Sequence, residues 1–207
     1  MIFGNMQEHI TLYDLFDRCS LASFRVIYYY DDLNKHILTS SELYESINEI
    51  STALTSISAS KSIVCCLFQS NLLLPSVILG ILKVSSSFAF LDIRNPLLSL
   101  QNLQKYVPIS TIFIEDILLE NFKNQLCFCW EKKSNEFLMK SKICILQSSN
   151  CNADSCSRSR MLYKNFQKHS SQLAYIMQTS GTTGEPKIVQ VPHHCIVPNI
   201  LDLRLVF

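Results

Sequence analysis

Six consecutive apolar residues, Ile63-Val64-Cys65-Cys66-Leu67-Phe68, leave no polar face, so a strand built from them must be covered on both sides. The residues that follow decide how. A helix-length stretch from about Leu72 to Lys83 carries Pro75 in its first turn, where a missing N–H costs little. Ser87 to Asp92 then returns to a strand pattern. Strand, helix and strand in this order make a βαβ unit, which joins parallel strands. Leu97 to Tyr106 reads as a helix ended before Pro108, and Thr111-Ile112-Phe113-Ile114 as a further strand. The expected class is therefore α/β, a mostly parallel sheet flanked by helices.

Ahead of this unit, Ile10 to Cys19 is a short amphipathic helix with Leu12, Leu15 and Phe16 apolar and Thr11 and Asp14 as start signals. Phe24 to Tyr30 is β-branched and aromatic, Asp31 to Asn34 supplies a turn, and Ile37-Leu38 completes a hairpin. Thr39 followed by Glu42 has the spacing of a capping box, and it opens a helix with Leu43, Ile47, Ile50 and Leu54 near helical spacing. From Gln147 to Gln172 the chain turns Ser/Asn/Lys-rich and loses periodicity, as expected for a mobile surface loop within a single domain. Two strands follow, Ala174 to Gln178 and Lys187 to Val191. A helix after Val191-Pro192-His193 is expected to break or kink at Pro198 before Leu201 to Phe207.

At 207 residues, 48% hydrophobic and 17% charged, the chain has the material for a core and not the composition of disorder. A net charge of +1 and the lack of any basic block point to neither nucleic acid nor acidic lipid. The N-terminus lacks the positive and apolar regions of a secretory signal. Gln69, Ser70, Asn71 and Pro75 interrupt the apolar region from Ile63 to Val84, against a membrane span. A cytoplasmic protein is expected. Its 9 cysteines are odd in number and irregular in spacing, which suits reduced thiols. Cys65-Cys66, Cys127-Phe128-Cys129, and Cys151 and Cys156 near His169 lack the paired spacing of structural zinc, so no metal site is expected from them.

Of only 4 glycines, two lie in Thr179-Ser180-Gly181-Thr182-Thr183-Gly184-Glu185-Pro186-Lys187, directly after an apolar run. Glycine exposes backbone N–H groups, hydroxyls add donors, and a lysine offsets negative charge, which is the chemistry of a polyphosphate loop. The residues alone also fit an ordinary turn between strands. A Walker A loop is excluded: two residues separate the glycines where four are needed, and Ile188, not serine or threonine, follows the lysine.

This nonapeptide resembles the phosphate-binding signature of the adenylate-forming (AMP-binding) superfamily, which includes acyl-CoA synthetases, peptide-synthetase adenylation domains and luciferases. Two upstream stretches resemble earlier motifs of that superfamily, in the right order. Leu38-Thr39-Ser40-Ser41-Glu42-Leu43 is similar to its first core motif, and Leu79 to Pro96 to its second, with Lys83, Asp92 and Pro96 at matching places. Ser85 stands where a glycine is usual and Phe90 where a proline is usual, so a different turn is expected there. Asp92 after a strand reads as a cap.

The resemblance implies the N-terminal, incomplete part of an adenylation domain over residues 1–207 and an AMP-forming acid–thiol ligase. ATP and Mg2+ would be required, with most Mg2+ ligands and the catalytic residues elsewhere. Thr179, Ser180, Gly181, Thr182, Thr183, Gly184 and Lys187 would hold the ATP phosphates, and His193 is a candidate pocket residue. The acid would be small, and its acyl group would pass to the phosphopantetheine thiol of a carrier domain or of CoA. Ile188 replaces the glycine usual after the signature lysine, and the continuation to Ile200 is similar to the branch that activates β-alanine. The alternative is a non-catalytic fragment that binds nucleotide weakly or only contacts a partner.

Overall fold

The computed structural model describes residues 10–20, 26–31, 34–57, 59, 62–69, 72–124, 130–133, 143–148, 172–179 and 186–203. Outside them lie Phe24, Arg25, most of the expected loop (149–171), Ser180 to Glu185, the 127–129 and 151–156 cysteines, and 204–207.

Helix α1 (Leu12–Ser20) starts as expected: Thr11 Oγ1 accepts the Asp14 N–H at 3.1 Å, and the Asp14 carboxylate accepts the Thr11 N–H at 2.9 Å. Strands β1 (Val26–Asp31) and β2 (Asn34–Thr39) form the antiparallel hairpin. Helix α2 (Ser40–Ser56) has the full capping box, with Glu42 Oε2 accepting the Thr39 N–H at 2.8 Å and Thr39 Oγ1 accepting the Glu42 N–H. These bonds hold the Glu42 carboxyl below its ordinary value, the Thr39 backbone N–H being the larger cause.

The remaining elements are β3 (Ile63–Leu67), α3 (Leu73–Lys83), β4 (Ser87–Phe90), α4 (Pro96–Gln104), β5 (Ile109–Glu115), α5 (Asp116–Lys123), β6 (Trp130–Lys133), β7 (Ile143–Ser148), β8 (Leu173–Thr179), β9 (Lys187–Pro192) and α6 (His193–Leu203). Their sheet runs β6-β7-β5-β3-β4-β8-β9. The inner strands β5, β3, β4 and β8 are mutually parallel, while β7, β6 and β9 pair antiparallel. α5, β6 and β7 carry no signal in the expectations above. Helix α6 is continuous through Pro198, where a break or kink was expected, and the Asn199 side chain donates to the Cys195 carbonyl at 3.1 Å.

Every residue of β3 is buried, and its alternation assigns the two faces. Ile63, Cys65 and Leu67 pack with Leu100 and Leu103 of α4 and Leu119 and Phe122 of α5. Val64 and Cys66 pack with Ile50 and Leu54 of α2 and Val77 and Ile81 of α3. Burial pushes both β3 thiols well up, so Cys65 and Cys66 behave as small apolar groups. α2 and α3 approach closely because Gly80 has no Cβ: one built there would sit 2.6 Å from Ile50 Cγ2.

The turn after α3 is built around Ser85. Ser85 adopts φ 57°, with its N–H on the Leu82 carbonyl (3.0 Å) and the Ser86 N–H on the Ile81 carbonyl (3.2 Å). That is the Schellman pattern that glycine usually completes. Here the serine bears the left-handed backbone.

Adjacent strands β3 and β4 send their C-terminal connections to helices on opposite faces, α3 on one and α4 on the other. This divergence opens a crevice beyond the carboxyl ends of the parallel strands, where ligands bind in open α/β sheets.

Candidate functional site

Strands β8 and β9 form the hairpin that carries the signature. Their closing pair is Thr179 with Lys187, the first and last residues of the nonapeptide, and Thr179 Oγ1 donates to the Lys187 carbonyl at 3.4 Å. Because β8 runs parallel to β4, this closing pair stands at the carboxyl end of the sheet. Both residues are exposed. Ser180, Gly181, Thr182, Thr183 and Gly184 lie outside the described residues; of the signature's polar side chains, Thr179 and Lys187 are placed.

Thr179 and Pro186 also line a cleft of about 780 Å³ between α4 and the ends of β4 and β8, within the size range of small-molecule sites. One wall is aromatic: Phe88 stacks on Tyr175 with centroids 5.5 Å apart, and Phe90 meets Phe88 edge-on at 5.4 Å. Phe90, which stands where a proline is usual in the motif it resembles, is left partly exposed and lines the cleft. The cleft's polar lining includes Asp92, Arg94, Asn95, Ser99, Asn102 and Gln178. A smaller cavity of about 470 Å³ shares Phe90, Leu91, Asp92 and Arg94 and reaches Phe68 and Gln69 beyond β3.

Asp92 does not cap the helix that follows, whose N-cap is Asn95; it closes a turn onto Arg94. Its carboxylate accepts the Arg94 N–H at 3.0 Å and both Nε and an Nη of the Arg94 guanidinium at 3.1 and 2.9 Å. The side-chain bonds first, then the backbone bond, hold its carboxyl below the usual range. Lys83, the other matched residue of the second motif, is turned elsewhere: its ammonium bonds Asn48 Oδ1 on α2 and lies 5.8 Å from the Tyr13 ring centroid on α1.

His193 is buried at the start of α6, and its Nδ1 accepts the Leu12 N–H of α1 at 3.1 Å. Desolvation lowers its pKa, with Asp14 opposing. Neither His193 nor Lys187 is among the residues lining the cleft; Thr179 is. Sequence reasoning missed Arg94, Ser99 and Gln178. The available signal was polarity out of place, serine within Leu97-Leu98-Ser99-Leu100 and glutamine after Ile176-Met177.

The family model for AMP-binding enzymes matches residues 22–206. The chain belongs to the AMP-binding enzyme family. Among relatives of this AMP-binding chain, the beta-alanine-activating enzyme of Danio rerio is 38% identical over 144 residues, 66% of this chain and 12% of the relative. The Homo sapiens enzyme of the same name is 31% identical over 166 residues, 67% of this chain and 15% of the relative. The chain thus spans about an eighth of the length of these curated relatives. A fatty acyl-adenylate ligase from L. pneumophila, solved with acyl adenylate and pyrophosphate, shares the fold with TM-score 0.63 and 18% identity, over 92% of this chain and 31% of that one. The N-terminal subdomain of Klebsiella oxytoca NpsA matches with TM-score 0.54 and 18% identity, over 88% and 42%. No helix among the described residues is long and apolar enough to cross a membrane.

Proposed function

We propose that this chain supplies the pyrophosphate-holding part of the ATP site in an enzyme that activates a small amino or carboxylic acid, with β-alanine the leading substrate. The observation that carries this reading is the Thr179–Lys187 closing pair at the carboxyl end of the parallel sheet, at the rim of the cleft.

In the reaction a substrate carboxylate oxygen attacks the α-phosphorus of ATP, the bond from that phosphorus to the bridging oxygen breaks, and pyrophosphate leaves with the electron pair. The acyl-adenylate then gives its acyl group to a phosphopantetheine thiol, of a carrier domain or of CoA, and AMP departs. Charge accumulates on the β- and γ-phosphates in the first step, so donors fixed beforehand at that place lower the barrier. Lys187 supplies the cation and Thr179, with Ser180, Thr182 and Thr183, the hydroxyl donors; Gly181 and Gly184 let the backbone approach. Mg2+ would enter with the nucleotide and spread the phosphate charge. Among the described residues no three His, Cys, Asp or Glu side chains converge as a metal site.

Pyrophosphate–ATP exchange by the protein carrying this chain is the test. Exchange that depends on added β-alanine, and is weaker with longer acids, is expected. No exchange with any acid of a panel including β-alanine would overturn the reading.

A further inference from the structure

We infer that Gln178 is a positioning residue for the phosphate loop, tying the end of β8 to α4 through Ser99. This rests on the reading of Thr179–Lys187 as a phosphate-holding hairpin.

β8 is paired with β4 only at Phe88↔Tyr175 and Ala89↔Ile176. β4 ends at Phe90, after which the chain turns away into the Asp92 turn. Met177, Gln178 and Thr179 therefore overhang: β9 pairs with them along one edge, and no described strand pairs with them along the other. The Gln178 side chain supplies a tie from the sheet face instead. It lies on the same face as Ile176, toward α4, and its Nε2 donates to the Ser99 carbonyl at 2.5 Å. Ser99 Oγ donates back to Gln178 Oε1 at 3.3 Å. The same Oγ accepts the Asp92 N–H at 3.2 Å.

Both ends of the amide are engaged, which fixes its orientation, and Ser99 is itself buried, with 5% exposure. One hydroxyl thus joins the turn of the second motif to the strand that delivers the third. The loop's first residue is the next one along the chain. Glutamate at 178 would set a carboxylate oxygen against the Ser99 carbonyl, and leucine would fill the space without bonding. A donor array acts on a developing charge only if it is already in place, so loosening its base weakens the hold on the triphosphate.

Three readouts on the full protein test this. For Gln178→Leu the KM for MgATP is expected to rise about tenfold, equivalent to about 1.4 kcal/mol, while the KM for the acid and the melting temperature stay near wild type. Ser99→Ala, which keeps the backbone carbonyl, should cost less, and Ser99→Thr should restore wild-type behaviour. Amide exchange, read by mass spectrometry, should speed up in the peptide spanning 173–179 and not in that spanning 63–67. An unchanged KM for MgATP, or acid KM and melting temperature moving in step with it, would overturn the inference. Should the wild type show no exchange of pyrophosphate with any acid, the functional reading fails on its own. Amide exchange then decides the bridge, and unaltered protection in Gln178→Leu would refute it.

Discussion

Ser85 is, among the described residues other than glycine, alone in having a positive φ. The left-handed region costs a residue with a Cβ about 1–2 kcal/mol, and the two Schellman hydrogen bonds hold it there. Ser85→Gly removes that strain and adds about 0.5–1 kcal/mol of chain entropy to be lost on folding. The net gain expected is about 0.5–1 kcal/mol, read as a higher urea midpoint with an unchanged slope. A lower midpoint would mean that the serine hydroxyl contributes more than the backbone suffers. The residue-level signal was legible as a glycine-type position filled by serine, but its outcome was not. Whether the turn changes or the residue strains is decided by the packing of α3 and β4 on either side of it.

At the scale of elements, the β3, α3, β4 succession was readable because a strand buried on both faces and an amphipathic helix have different periods. α5 is eight residues long, and Trp130-Glu131-Lys132-Lys133 of β6 shows no alternation. Ile143-Cys144-Ile145-Leu146 of β7 is an apolar run that periodicity alone assigns to neither strand nor helix. Their antiparallel placement depends on partners distant in sequence. The same holds for the contact of α1 with α6, made when Leu12 N–H meets His193 Nδ1 across 181 residues.

That contact carries a pH prediction. Burial lowers the His193 pKa, so the unfolded chain, titrating near about 6.5, takes up its proton first. The contribution of neutral His193 is therefore fully present above about pH 6.5 and is lost as pH falls through that value toward the depressed folded one. Asp14, on the facing helix, opposes the shift and limits its size. A protonated Nδ1 also cannot accept the Leu12 N–H. Between pH 7.5 and 5.5 the melting temperature of the wild type should fall further than that of His193→Gln, which keeps an acceptor without titrating. Parallel curves for the two proteins would refute this role.

For the whole molecule, topology does what no single motif does. Helices diverge to opposite faces from β3 and β4, and β8 lies parallel beside β4, so that the signature hairpin closes at the edge of the cleft between α4 and the ends of β4 and β8. The signature was legible from the placement of scarce glycine; its neighbourhood was not. Ser99 and Gln178 are 79 residues apart, and the aromatic wall draws Phe88 and Tyr175 from two strands. A sequence lacking its register cannot bring either pair together. The central claim is that this hairpin holds the pyrophosphate moiety, with Lys187 as its cation. A charge-assisted hydrogen bond is worth about 1.5–3 kcal/mol, so the claim has a definite size. Calorimetric titration of inorganic pyrophosphate with Mg2+ into the wild type and Lys187→Ala measures it directly: binding about ten- to hundredfold weaker in the variant is the result predicted, and equal affinity of the two proteins would contradict it.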